Sequence, residues 1–194
     1  MKVLGITGGV GSGKSQVLEH LQKEFGATVC QLDQVAKELQ KKGQPCYDQI
    51  VEAFGAGILE EQGELDRGKL AQVVFQNPEK LQKLNEIVHP EVKHWVQQDI
   101  AQKKNSGCPL YVIEAALMPG AGYDQICQEM WYIYAAEAVR RQRLKQSRGY
   151  SEEKITSMIQ AQPTEEAFRQ ISQVVIENSG SFEDTKKQIG ELLP

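Results

Sequence analysis

The stretch Gly8-Gly9-Val10-Gly11-Ser12-Gly13-Lys14-Ser15 decides the fold of this chain. It fits the phosphate-binding loop pattern G-x-x-x-x-G-K-[ST], in which glycines let the backbone approach phosphate oxygens closely. The apolar run at residues 2–6 predicts a strand before it, and the apolar spacing in residues 16–25 predicts a helix after it. A strand before and a helix after are the context that such a loop requires, so a glycine-rich turn that binds nothing is the weaker interpretation.

Each part of this loop has an expected role toward the polyphosphate of a nucleotide. Lys14 is expected to reach the β and γ phosphates, and the hydroxyl of Ser15 is expected to hold Mg²⁺. The positive end of the following helix adds to the attraction for phosphate. The residues expected to bind ATP are Gly8, Gly11, Ser12, Gly13, Lys14, Ser15 and Gln16.

The order of the remaining elements predicts an α/β fold with a parallel sheet. Residues 27–32 read as a second strand that ends at Asp33, and a helix follows. Later strands are predicted at residues 110–113, 131–134 and 173–176. Alternation of strands and helices in this order is typical of an α/β fold with a parallel sheet.

The middle of the chain predicts a helical insertion. Residues 45–104 contain apolar side chains at helical spacing and no convincing strand, with Pro90 expected near a helix boundary. We therefore expect a core formed by residues 1–40 and 106–194, interrupted by an insertion at residues 41–105.

Positive charge is concentrated in one predicted helix, which carries Arg140, Arg141, Arg143, Lys145 and Arg148. Arg141 and Arg148 share a face with Lys145, and cations on that face could neutralise a transferred phosphoryl group. The alternative is a solvated face paired with Glu152 and Glu153. Gly149 ends the helix, and the segment at about 137–165 is expected to act as a lid that excludes water.

Two acidic residues are expected where strands end. Asp33 follows the second strand, where a carboxylate could accept the proton of an attacking hydroxyl, or could only cap the next helix. Glu114 ends the strand at residues 110–113 and could help to position Mg²⁺ or a substrate, or could be a solvated charge.

Composition narrows the classes of function. Among 194 residues 40% are hydrophobic and the net charge is −4, which disfavours a general nucleic-acid binder. No apolar run has the length of a membrane span, and no signal peptide is apparent. The four cysteines include no C-x-x-C pair, so we expect reduced thiols in a cytoplasmic protein without a structural metal. These features leave the oligomeric state open.

With these residues in place, the chain resembles the dephospho-CoA kinase family along nearly its whole length. The specific motifs are Leu84-Asn85-x-Ile87-x-His89-Pro90 and Ile176-Glu177-Asn178-Ser179-Gly180-Ser181, together with Gln162. The resemblance implies phosphorylation of the ribose 3′-hydroxyl of dephospho-CoA by Mg²⁺-ATP, on a P-loop kinase fold with a substrate-binding insertion and a lid. It also implies a three-layer α/β core, with Asp33 as the general base and Arg141 and Arg148 in the lid. His89 is a candidate for contact with the substrate, and the alternative is a structural histidine, which is the commoner role of a lone histidine.

Three positions depart from the family pattern. Gly120 stands where a glutamate is usual, Met158 stands where an arginine is common, and Ala167 stands where a lysine is often found. Three other functions stay open beside dephospho-CoA phosphorylation. These are another nucleoside or nucleotide kinase, an ATP-binding regulator without transferase activity, and, more weakly, a GTPase, for which no Asn-Lys-x-Asp motif is present.

Overall fold

A computed structural model describes residues 1–115 and 122–193 of the chain. Within these ranges the strands are β1 (Lys2–Thr7), β2 (Thr28–Gln31), β3 (Leu110–Glu114), β4 (Glu129–Tyr134) and β5 (Val174–Glu177). They form one sheet of order β2-β3-β1-β4-β5. β1 pairs in parallel with β3 and β4, and β4 pairs in parallel with β5. The predicted α/β class with a parallel sheet is confirmed.

By its internal contacts the chain divides into two compact units. One consists of Met1–Cys30 and Lys103–Pro194, and the other is Gln31–Gln102. The helices of the first unit are α1 (Lys14–Phe25), α6 (Glu137–Arg148), α7 (Glu152–Gln160), α8 (Glu165–Ile171) and α9 (Phe182–Leu192). The second unit contains α2 (Leu32–Leu39), α3 (Pro45–Phe54), α4 (Arg67–Phe75) and most of α5 (Pro78–Asn105).

The first unit has helices on both faces of its sheet. Trp131 and Ile133 of β4 are fully buried in a core that also contains Val17 and Leu21 of α1 and Ile189 of α9. Tyr132 points to the opposite face because side chains alternate along a strand, and there it stacks on Phe168 of α8 at 5.1 Å. A parallel sheet covered on both faces gives the three layers that the family resemblance implies.

The second unit is helical. A 3₁₀ turn at Ala56–Ile58 and a single antiparallel bridge between Leu59 and Leu65 connect α3 to α4. Asp66 begins α4, and its carboxylate accepts hydrogen bonds from the backbone N–H groups of the next turn at 2.9 and 3.0 Å. The expected helical character of this stretch is confirmed; its role as a substrate-binding insertion stays a prediction.

The predicted boundaries of one helix and of one strand are wrong. Pro90 lies inside the 28-residue helix α5 instead of near its boundary. Proline removes one backbone hydrogen bond, but the buried stripe that includes Val88 and Val92 continues on both sides of it and keeps the helix packed. The second strand stops at Gln31, because Leu32 is buried with Val35 on one face of α2.

Candidate active site

The phosphate loop, residues 8–15, connects the central strand β1 to α1 and depends on glycine. Gly11 and Gly13 have φ values of 77° and 91°, which lie in the left-handed region. A Cβ atom on Gly13 would lie 2.2 Å from Nδ2 of Asn178. No other residue type fits position 13 without moving its neighbours.

The loop presents hydrogen-bond donors that have no acceptor among the described residues. Within the described ranges, the backbone N–H groups of Gly11, Gly13 and Ser15 donate to nothing. The hydroxyl of Ser12 is buried and likewise has no hydrogen-bond partner among the described residues. Donors of this kind at the positive end of a 12-residue helix form an anion site, and buried polar groups require a partner that a phosphate oxygen can supply.

Lys14 and Glu114 meet beside the loop. Nζ of Lys14 donates to the carbonyl oxygen of Gly8 at 2.7 Å and lies 3.9 Å from Oε1 of Glu114. Both side chains are 13% exposed. Their meeting follows from the sheet, because Glu114 ends β3 opposite Ile6 of β1, just before the loop begins. A cation and a carboxylate are thereby held where a polyphosphate and its counter-ion would bind.

Two side chains from distant parts of the chain hold the backbone of Val10, one at its N–H and one at its carbonyl. Nε of Arg140 donates to the Val10 carbonyl at 2.8 Å, and Oε1 of Gln162 accepts the Val10 N–H at 2.9 Å. Nη2 of Arg140 donates to the same Gln162 oxygen at 3.0 Å. The basic segment was singled out from the sequence, but the contact of Arg140 with the loop was not.

A second set of side chains holds the Ser12 carbonyl from outside the loop. Nδ2 of Asn178 donates to it at 2.7 Å, and Nη1 of Arg143 donates to it at 3.3 Å. Thr185 of α9 donates its hydroxyl to Oδ1 of Asn178 at 2.7 Å. Sequence reasoning assigned no role to Thr185, since a threonine in a helix carries no local signal of such a contact.

Arg141 and Arg148, the two arginines predicted to belong to the lid, lie in different environments. Arg141 is paired with Glu137 at 2.8 Å and Glu152 at 3.4 Å, and the hydrogen bond to Glu137 raises the pKa of its guanidinium. Arg148 is exposed and makes no ion pair in the described part of the chain. The alternative interpretation, a solvated basic face paired with acidic residues, therefore agrees with the contact to Glu152. A catalytic role for Arg141 and Arg148 stays a prediction.

Asp33 and His89 belong to the second unit and are both exposed. Asp33 is in the first turn of α2 and makes no hydrogen bond within residues 1–115 and 122–193, so the helix-cap alternative has no contact to support it. His89 lies on the exposed side of α5. Gly120 lies outside the described residues, whereas Met158 is in α7 and Ala167 is in α8.

Potential metal ligands are sparse around the loop. No group of three or more His, Cys, Asp or Glu residues able to hold a metal occurs in the described chain. A divalent ion would instead depend on the Ser15 hydroxyl, on Glu114 and on phosphate oxygens, which suits Mg²⁺ because it prefers few protein ligands. Nor do the described residues include a helix that is long and apolar enough to cross a membrane.

Comparison with known proteins agrees with this geometry. The sequence model of dephospho-CoA kinase matches residues 2–184. The chain belongs to the dephospho-CoA kinase family. The dephospho-CoA kinase of Carboxydothermus hydrogenoformans is 38% identical over 194 residues, covering 100% of this chain and 93% of that protein. The enzyme of the same name from Aquifex aeolicus is 38% identical over 190 residues, covering 97% and 94%.

Comparison with solved structures indicates a P-loop kinase fold for this chain. A structure from Thermus thermophilus has a TM-score of 0.83 at 30% identity and covers 99% of this chain and 96% of its own. Shikimate kinase from Bacteroides thetaiotaomicron has a TM-score of 0.56 at 12% identity, covering 98% and 95%. The second likeness concerns the fold alone, and with the first it confirms the predicted fold class.

Proposed function

We propose that this protein transfers the γ-phosphoryl group of ATP to the ribose 3′-hydroxyl of dephospho-CoA, giving CoA and ADP, the last step of CoA biosynthesis. The observation that carries the proposal is the phosphate loop with donors left open toward a ligand, in a chain that belongs to this family. The loop N–H groups and the positive end of α1 would bind the phosphates of ATP.

Lys14 and the loop would handle the negative charge of the reaction. The ammonium group of Lys14 now donates to the Gly8 carbonyl, so a short side-chain movement would bring it to phosphate oxygens. The site would use Mg²⁺ held by Ser15, with Glu114 close to Lys14, and the ion would neutralise charge on the phosphates. Gly8, Gly11, Ser12, Gly13 and Gln16 complete the proposed ATP contacts.

Asp33 would act as the general base. Its exposed carboxylate makes no hydrogen bond in the described structure, so it is open to accept the proton of the 3′-hydroxyl as the oxygen attacks phosphorus. His89 and Glu114 would contact the substrate, whereas Arg141 and Arg148 would stabilise the transferred group. We assign dephospho-CoA binding to residues 41–105 and the lid to about 137–165.

The state of the cysteine side chains bears on the cell compartment in which the protein works. None of the four cysteines, all of which lie in the described ranges, forms a disulfide bond there, and three of them are buried. Reduced thiols suit a reducing compartment, and we propose that the protein works in the cytoplasm with ATP and dephospho-CoA as its small-molecule partners.

The test is ADP release measured with dephospho-CoA, adenosine and nucleoside monophosphates as competing acceptors, each with Mg²⁺ and with EDTA. We expect turnover with dephospho-CoA alone, dependence on Mg²⁺, and a new 3′-phosphate signal in the ³¹P spectrum of the product. Asp33→Asn is the matched control for uncoupled ATP hydrolysis. A preference for adenosine or a monophosphate would replace this assignment by another kinase, and ATP binding without any acceptor would replace it by a regulator.

A further inference from the structure

We propose that Thr185, Asn178 and Arg143 are positioning residues that fix the Ser12–Gly13 peptide so that the phosphate loop is ready to bind before ATP arrives. The inference rests on the ATP-binding part of the proposed function. None of the three was selected from sequence as a site residue. Thr185 is fully buried and Asn178 is 1% exposed, so neither side chain is at the surface where a nucleotide binds.

The orientation of the Asn178 amide is determined by its two neighbours. The Ser12 carbonyl can only accept, so the amide nitrogen must face it, and the contact is 2.7 Å. The amide oxygen then faces the hydroxyl of Thr185 at 2.7 Å and requires its proton. The Thr185 oxygen also lies 3.3 Å from the Glu177 carbonyl, which can only accept. Thr185 therefore supplies the hydrogen-bond donor for the side-chain oxygen of Asn178.

Arg143 completes the support from α6. Its Nη1 donates to the Ser12 carbonyl at 3.3 Å and its Nη2 donates to the Asn178 carbonyl at 2.8 Å. One planar guanidinium thus joins the loop to the turn between β5 and α9. Lysine would keep the charge at this position but could not span two carbonyls in this way.

These contacts decide where one loop donor points. In a planar trans peptide the C=O and the N–H point in opposite directions. When Asn178 and Arg143 hold the Ser12 carbonyl on the outside, the Gly13 N–H of the same peptide faces away from them and stays available. Glycine at position 13 tolerates many backbone conformations, so without the contacts the peptide could rotate and remove that donor. The three side chains would therefore act on affinity for phosphate by keeping one loop conformation populated.

The size of the effect follows from the population of the competent loop. If loosening the support leaves about one loop in ten in the binding conformation, the dissociation constant for phosphate rises about tenfold. Affinity for the acceptor substrate should not change, because none of these contacts involves His89, Glu114 or residues 41–105, to which acceptor binding is assigned. A purely structural role would lower thermal stability and leave the dissociation constant of the folded protein unchanged.

The experiment compares Thr185→Val, which keeps the shape and removes the hydroxyl, with Thr185→Ser, which keeps the donor. Binding of inorganic tripolyphosphate and of ATP is measured by titration calorimetry, well below the melting temperature of each variant. We expect Thr185→Val to weaken both ligands about tenfold and Thr185→Ser to stay within about twofold of the unaltered protein. Equal tripolyphosphate affinity in Thr185→Val and in the unaltered protein would overturn the inference.

Arg143→Lys gives an independent measurement. It should also weaken tripolyphosphate, and combined with Thr185→Val it should produce less than the sum of the two effects, since both act on the Ser12 carbonyl. Full additivity would contradict a shared target. Tripolyphosphate binding does not depend on the acceptor, so failure to phosphorylate dephospho-CoA would remove the proposed function and leave this result standing.

Discussion

Replacing Gly13 by alanine tests the loop geometry most directly. Alanine at φ 91° costs about 1–2 kcal/mol because its Cβ meets the backbone in the left-handed region. The new Cβ would also lie 2.2 Å from Nδ2 of Asn178, a fixed and buried group. Displacing that amide breaks its bond to the Ser12 carbonyl and leaves buried polar groups unsatisfied, at about 1–3 kcal/mol. The total loss of stability should be about 2–5 kcal/mol.

Gly107→Ala is the matched control for backbone strain. Gly107 has φ 79°, and a Cβ atom there would meet nothing within 4 Å. It also belongs to the same compact unit as Gly13. The control should therefore lose only the cost of the left-handed backbone, about 1–2 kcal/mol. Subtracting one variant from the other isolates the collision with Asn178.

Urea unfolding followed by circular dichroism gives both free energies, and calorimetric titration gives ATP affinity. We expect Gly13→Ala to be less stable than Gly107→Ala by about 1–3 kcal/mol and to bind ATP at least tenfold more weakly, which is about 1.4 kcal/mol of binding energy. Equal stability and equal ATP affinity in the two variants would refute the argument that Asn178 is held rigidly against the loop.

Three further predictions concern Lys14, Asp33 and two buried side chains whose pKa values are raised. Lys14→Ala should lower turnover by about 10²–10³ while the melting temperature changes little, and near-normal ADP release would remove Lys14 from the site. Asp33→Asn should lower kcat by about 10² or more without changing ATP affinity; an unchanged kcat would leave it no role as a base. Burial raises the pKa of Cys46 to about 11 and that of Tyr123 to about 12. Because the unfolded chain ionises first, the free energy of unfolding should fall as pH rises from about 9 through 11, and Cys46→Ala should flatten that slope in urea titrations.

Patterns over short stretches gave most of the fold. The loop motif, the apolar run before it and the helical spacing after it place β1 and α1 correctly, because each is determined by neighbours in sequence. Lys14 was assigned to the phosphate loop and Glu114 to the end of a strand, and the pairing of β1 with β3 brings them together. Where a pattern failed, as at Pro90, burial across the whole helix outweighed a local preference.

The support around the loop could not be read from the sequence. Helical spacing showed that Arg141, Lys145 and Arg148 share a face, but it did not show which face of α6 meets the loop. Tertiary packing selects the face of Arg140 and Arg143 instead. The contacts of Gln162 with Val10 and of Asn178 with Ser12 join positions more than 100 residues apart, and no local pattern in one sequence records such pairs.

The 166-residue separation between Ser12 and Asn178 has a consequence for synthesis on the ribosome. The phosphate loop is made before the residues that hold its Ser12 peptide. At ordinary translation rates the interval is about ten to thirty seconds. During part of that interval β1 has no pairing partner, because β3 and then β4 have yet to be made. The nascent chain should therefore acquire tight ATP binding only after α9 has left the exit tunnel, which would keep incomplete chains from sequestering nucleotide.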